Sequence, residues 1–329
     1  LGVTLVLAVL GGSYSLLGRA PPRQSDGPKE QITIALLMYP GSCALIVAQA
    51  KQFFAGEGLR VTLDTYPNGR AALAAAFQGK ADLAASGDIP IMFAAMERHP
   101  LSVVATIAMA ENDQGIIGRK DKGIGLPASL KGKRIGATLG TSGHFVLDAF
   151  LTRQKLAASD VTVRDLQPDE LSNALASGDI DAASVWQPYL SALQTQLGGN
   201  GALFGSEGIY DTAYALAGTS NYVLAHPETV KKVLRALVRA EQFCRESPDQ
   251  ARDLLADAFK IKADVLKDLW PLYRFDVALE QSLLLALEDT SQWAVKSRLT
   301  ARRDVPNYLN YIYLDALDAV APAKVTVIH

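Results

Sequence analysis

Gly79-Lys80-Ala81-Asp82-Leu83-Ala84-Ala85-Ser86 and Gly178-Asp179-Ile180-Asp181-Ala182-Ala183-Ser184-Val185 stand 99 residues apart, and each is a Gly-x-x-Asp turn running into a short Ala-rich strand. The same offset relates Gly41-Ser42-Cys43 to Gly140-Thr141-Ser142, each triplet following an apolar strand and opening a helical pattern. Both Ala-rich strands end in polar loops carrying Pro: Ser86-Gly87-Asp88-Ile89-Pro90 in the first half, Trp186-Gln187-Pro188-Tyr189 in the second. Four elements in one order at one offset are the mark of an internal repeat, and hence of two similar units.

The surrounding pattern says what those units are. A strand is predicted at residues 32–38, then helical spacing of Leu45, Ala48 and Phe53 that Gly56 and Gly58 stop, then a strand in which Leu59, Val61 and Leu63 alternate. A helix at 70–77, a strand at 82–85, a helix at 90–97 and a strand at 101–107 follow. Strands alternating with helices predict an α/β fold with mixed, mostly parallel sheets. In open sheets of that kind ligands bind beyond the carboxyl ends of the strands, where the repeated triplets and Pro loops fall. Two helix N-termini, at Ser42-Cys43 and at Thr141-Ser142-Gly143, would offer unpaired N–H groups and partial positive charge to a carboxylate or sulfonate. Each of Ser42 and Thr141 alone could equally be a plain helix cap.

In 329 residues, 32 Lys and Arg against 34 Asp and Glu leave a formal charge of −2, which gives no basic surface for nucleic acid. Residues 1–18 carry no charge and precede a Pro-rich polar stretch at 19–30, the pattern of an export signal or membrane anchor followed by a linker. Cys43 and Cys244 lie far apart in sequence, so neither a disulfide framework nor a Cys-rich zinc site is expected; Cys43 reads as an apolar filler or a thiol at a helix start. His99, His144, His226 and His329 share no ligand spacing, so no metal is expected, and no cofactor either. Gly123-Ile124-Gly125-Leu126-Pro127-Ala128 matches a dinucleotide pattern only formally, in a polar loop context. Ser142 and His144 are two residues apart on a helix and do not face each other, which argues against nucleophilic catalysis. From 227 to 246 apolar residues recur at helical spacing with Lys231, Lys232, Arg235 and Arg239 between them as an expected solvated face, and the region beyond 248 reads as mostly helical, including 305–320.

The runs GRAALAAAFQGKADLAASGDIPIMFA, SLKGKRIGATLGTSGHFVLDAFL and ALASGDIDAASVWQPYL resemble the periplasmic substrate-binding proteins of nitrate, sulfonate and taurine type ABC transporters, over roughly residues 31–260. They are also similar to proteins that bind the pyrimidine precursor of thiamine. The resemblance implies a type II, Venus-flytrap periplasmic-binding-protein fold with the chain crossing twice between lobes and a helical C-terminal region. It implies lobe one at 31–112 plus 219–329 and lobe two at 113–218. Ligand contacts carried over to matching positions are Gly41, Ser42 and Cys43, Gly87 and Asp88, Thr141, Ser142, Gly143 and His144, and Trp186 and Gln187. The expected protein is a monomeric, non-enzymatic, extracytoplasmic binder of a small anion that serves an ABC permease and its ATPase, exported or held at the inner membrane by residues 1–18. Alternatives are a pyrimidine-precursor binder or biosynthetic enzyme on the same fold, and an anchored sensor. Gln187 where many relatives carry an acid, and the uncommon Cys43, set this chain apart within the family.

Overall fold

The computed structural model describes residues 30–328; the expected anchor at 1–18 and nearly all of the linker at 19–30 lie outside the described residues. The chain begins with strand β1 (Glu30–Leu37), helices α1 (Cys43–Ala50) and α2 (Phe53–Gly56), strand β2 (Leu59–Tyr66), helix α3 (Gly69–Phe77), strand β3 (Leu83–Gly87), helix α4 (Asp88–Met96) and strand β4 (Leu101–Glu111). It continues through β5 (Gln114–Arg119), β6 (Arg134–Ala137), α5 (Ser142–Arg153), β7 (Thr162–Asp165), α6 (Leu171–Ser177), β8 (Ala182–Trp186), α7 (Tyr189–Leu197) and β9 (Gly201–Gly205). The last part holds β10 (Asp211–Thr219), α8 (Ser220–Ala225), α9 (Pro227–Glu246), α10 (Pro248–Phe259), α11 (Ala263–Leu269), β11 (Tyr273–Arg274), α12 (Gln281–Lys296) and α13 (Leu314–Val320).

Six strands form one sheet in the order β11-β4-β10-β3-β1-β2, and five form a second in the order β7-β6-β8-β5-β9. The sheets share a plan. β1 lies parallel between β2 and β3, as β6 lies parallel between β7 and β8, and Ile34↔Leu83 in one ladder answers Ile135↔Ala182 in the other. An antiparallel strand, β10 or β5, flanks the Ala-rich strand of each sheet. Those two strands follow the crossovers: β4 passes through Asn112-Asp113 into β5, and β9 returns through 206–210 into β10. The return to the first sheet therefore comes before Asp211, earlier than the expected boundary at 219, because β10 pairs with β3 and β4.

The repeated turns have a local reason. Gly79 and Gly178 sit at φ +69 and +82, where a side chain would be strained, and let the chain leave α3 and α6 for the next strand. Asp82 then accepts the Thr33 N–H at 2.7 Å and Asp181 the Arg134 N–H at 2.9 Å, fastening β3 to β1 and β8 to β6. The Gly-x-x-Asp repeat thus builds the strand starts, away from the ligand end of the sheet. Small alanines on β3 and β8, buried on both faces, let helices approach closely.

Four expectations are corrected. The predicted helix through Phe53 is broken by Gln52, left-handed at φ 57, and the predicted helix at 305–320 is a 3₁₀ turn at Tyr308–Tyr311, a bridge from Ile312 to Val103, and α13. The cations of α9 are not simply solvated: Arg235 pairs with Glu57 at 2.7 Å, Lys232 with Glu30 at 3.1 Å, and Arg239 stacks over Phe53. Cys43 and Cys244, far apart in sequence, form a disulfide joining α1 to α9, with Cα atoms 6.8 Å apart. Both are fully buried, so Cys43 faces the core and no ligand.

Candidate functional site

Two cavities that share Pro90 in their linings lie in the cleft between the sheets. The inner one, of about 30 Å³, is floored by Leu37 and Tyr39 beyond β1 and by Thr212 and Tyr214 of β10. Gly69 opens α3 on one side, Gly87 and Pro90 mark the β3–α4 junction, and Thr141, Ser142, Gln114 and Trp186 close it from the second lobe. That volume holds one or two water molecules.

The lobe-two wall is rich in unused hydrogen-bonding capacity. Thr141 precedes α5, but its hydroxyl donates to the Thr138 carbonyl at 2.6 Å and caps nothing, so the backbone N–H groups of Ser142 and Gly143 have no acceptor among the described residues. Trp186 is 4% exposed, and its indole Nε1 is buried with no partner. Directly across the ladder from it, Gln114 donates to the Ser142 and Thr212 hydroxyls at 3.0 and 3.1 Å, leaving its Oε1 unpartnered. Buried polar atoms are nearly always satisfied, so orphans gathered at one cavity mark a place meant for a guest.

Two buried carboxylates are tied to the crossovers, Asp113 within the first and Asp88, at the start of α4, bonded to Tyr210 of the second. Asp113 accepts the Tyr39 hydroxyl at 2.6 Å and the Thr212 hydroxyl at 2.9 Å, and burial pushes it up to about 6. Asp88 accepts the Tyr210 hydroxyl and the Ile89 N–H, and burial pushes it up to about 7. Both phenols are raised well above their ordinary range, mainly by burial. These pairs tie lobe one to the hinge segments, Tyr39 to the first crossover and Asp88 to the second.

Of the residues singled out from the sequence, Gly87, Thr141, Ser142 and Trp186 line the inner cavity, and His144 lines the outer one, described below. The others do not. Ser42 is fully buried and donates to the Leu37 carbonyl and Tyr214 hydroxyl at 3.2 Å each; Gly41 packs on the Tyr39 ring. Gly143 packs on β8, where a Cβ would lie 2.9 Å from the Ser184 carbonyl, and it does not line the cavity. Asp88 is sealed under Tyr210, and Gln187 turns into α7, where its Oε1 accepts from Ser191. The lobe-one helix start at the cavity is α3 in place of the expected Ser42-Cys43. The Asn68 side chain caps it by accepting the Ala71 N–H at 2.9 Å, a signal legible in Asn68-Gly69 but not marked by the repeat. Tyr39, Gln114, Thr212 and Tyr214 carried no local signal at all.

Pro90 also borders an outer cavity of about 310 Å³. Its walls are α3 and α4 of lobe one and the start of α5, with Arg70 next to Gly69 of the inner lining and Gly140 next to Thr141. His144 lies here, its pKa lowered by burial, its Nδ1 accepting weakly from the Gly140 N–H at 3.4 Å.

Two sheets of one plan, joined by two crossovers over a cleft, are the periplasmic-binding-protein fold. A family model described as NMT1/THI5 like matches residues 40–251, and the chain belongs to that family. It is 26% identical over 324 residues, 95% of each chain, to the protein named "Putative aliphatic sulfonates-binding protein" in Bacillus subtilis (strain 168). It is 28% identical over 208 residues to the taurine-binding periplasmic protein of Escherichia coli (strain K12), covering 62% of this chain and 63% of that one. The alkanesulfonate-binding protein of Xanthomonas axonopodis pv. citri, solved with MOPS, has the same fold: TM-score 0.77 at 24% identity, over 88% of this chain and 99% of that one. The family and fold expected from the motifs are borne out.

Proposed function

We propose that the protein is a non-enzymatic, extracytoplasmic solute-binding protein that closes on a small anion and presents it to an ABC permease. The observation that carries this reading is that Ser142, whose N–H group has no acceptor, and Trp186, whose indole N–H has none, both line one interlobe cavity, with the unpartnered N–H of Gly143 next along the same helix start. Three donors suit a group with several oxygens, such as a sulfonate or carboxylate, at the positive end of a 12-residue helix. The names of the relatives, sulfonate and taurine binders, agree with that chemistry. The Cys43–Cys244 disulfide supports an oxidising compartment.

In this reading Gly87, Thr141, Ser142, Gly143 and Trp186 meet the ligand. The cavity is too small for an organic anion as it stands, so the lobes part to admit one, and contacts from both sides then favour closure. Residues 1–18 would tether or export the chain; retention on membranes after a high-salt wash would separate those two fates. The test of the function is isothermal titration of methanesulfonate, acetate and nitrate against methanesulfonamide and acetamide. Binding of one or more anions with no binding of the matched amides is expected. Equal binding of acid and amide overturns the oxyanion site.

A further inference from the structure

We infer that the free amide oxygen of Gln114 sets the specificity of the inner cavity, selecting an acid group that keeps a hydroxyl when singly charged. Hydrogen phosphonates and phosphate monoesters do so; sulfonates, carboxylates and nitrate do not. This rests on the anion reading of the inner cavity. Gln114 opens β5 just after the first crossover, is 1% exposed and lines the cavity. Its Nε2 donates to the Ser142 and Thr212 hydroxyls at 3.0 and 3.1 Å, and its Oε1 is buried without a partner. Which end of the amide is which follows from Thr212, whose single hydroxyl proton goes to Asp113 at 2.9 Å. Burial pushes Asp113 up to about 6, so at pH 7 it is ionised and only accepts. Thr212 can then offer Gln114 nothing but a lone pair, and a flipped amide would set oxygen against oxygen. The same buried cluster holds the titratable groups Tyr39, Tyr210, Tyr273 and Asp88.

A donor for that oxygen must come from the guest. The two ends of an amide share one carbon, so the acceptor lies beside Ser142. The Ser142 N–H has no acceptor among the described residues, and its hydroxyl, having accepted from Gln114, keeps its own proton for the guest. Trp186, its indole N–H unpartnered, stands directly across the ladder from Gln114. Donors and acceptor therefore meet within the width of one head group, and a cavity of about 30 Å³ leaves no room beside them for a second group. Among the described residues the lining holds no Asp or Glu to balance an ammonium, so a neutral hydroxyl is the donor that fits. Against a sulfonate the buried Oε1 stays unpartnered and faces another oxygen, a loss that a site built for a hydroxyl turns into rejection.

The test is titration of the full chain with methylphosphonate, methanesulfonate, methyl methylphosphonate and aminomethanesulfonate. It is run at about pH 7 and about pH 9, on either side of the second ionisation of a phosphonate. Affinities are compared as ratios within each pH, so that changes in the charge of Asp88 or Asp113 cancel between equally charged probes. Methylphosphonate is expected to bind at least tenfold more tightly than the other three at about pH 7. Its lead should fall below threefold at about pH 9, where it has lost its hydroxyl. Gln114→Met should bring the lead below threefold at about pH 7; should that variant not fold, the pH pair on the parent decides alone. A lead that persists at about pH 9 would trace to charge, one that survives Gln114→Met to another residue, and tighter binding of aminomethanesulfonate to an ammonium. Each overturns the role of Gln114 and leaves the anion site standing, as does binding of all four within threefold at about pH 7. If none of the four binds, both readings fall.

Discussion

The indole N–H of Trp293, on α12 beneath lobe one, donates to Asp148 on α5 of lobe two at 3.1 Å. The ring fills the space between Phe93 of α4 and His144 and Phe145 of α5, with edge contacts at 5.9, 5.3 and 5.0 Å. A residue from the C-terminal helices therefore spans the mouth of the cleft, and Asn68 reinforces it by donating to Gln167 between the lobes at 2.8 Å.

Trp293→Phe should keep the ring and lose the bond to the carboxylate. A hydrogen bond to a charged group contributes about 1.5 kcal/mol or more when buried and less at a partly open cleft, so the closed form should lose up to roughly tenfold in population. Small-angle scattering without ligand should show a larger radius of gyration than in the parent. An unchanged profile would mean that the contact does not hold the lobes.

Trp186→Phe separates binding from stability. The indole N–H has no partner in the protein, so replacing it should leave the urea midpoint unchanged or slightly raised, while ligand affinity falls by about 3- to 10-fold through one lost donor. Titration and urea unfolding on the same preparation check both. A fall in stability with unchanged affinity would assign the ring to packing alone.

Breaking the Cys43–Cys244 link should cost stability out of proportion to its two side chains. It closes a separation of 201 residues, for which the chain-entropy account gives about 5 kcal/mol as an upper figure. Unfolding in urea with and without reductant, and of Cys43→Ala with Cys244→Ala, should show a lowered midpoint in each case. The cysteines lie away from the cavity, so ligand affinity of the folded double variant should stay within a few-fold of the parent.

The buried carboxyl of Asp88 sets a pH dependence. Burial raises it from 3.8 to about 7 in the folded protein, so the native state holds a proton that the unfolded chain gives up. Its contribution is fully present below about pH 4, is lost as pH rises from there to about 7, and is constant above. At about 1.4 kcal/mol per unit the loss is of the order of a few kcal/mol. Asp88→Asn cannot ionise, so the stability of the parent relative to this variant should fall between pH 4.5 and 7. A difference independent of pH would show that the carboxyl titrates normally.

How much of this was legible beforehand follows from the range of each signal. The Gly-x-x-Asp turns, the Ala-rich strands and the alternation of periods two and 3.6 are local, because backbone conformation and the face a side chain presents are set within a few residues. The sequence by itself therefore determined the α/β repeat, the two similar sheets, the family, and the strand-end segments at Gly87, Thr141, Ser142 and Trp186 that line the cleft. It could not say that α3, with Gly69 and Arg70, would supply the lobe-one helix start at the cavity while Ser42 turned into the core. That depends on how far α1 sinks against α9, which the Cys43–Cys244 bond and the Arg235–Glu57 pair hold in place across about 200 residues. Gln114, Thr212 and Tyr214 reach the site because the two crossovers lay β5 and β10 beside the Ala-rich strands, and Trp293 because the C-terminal helices fold back under α4. Such neighbours are made by packing through space, and a pattern along the chain carries no term for it; only the tertiary structure decided them.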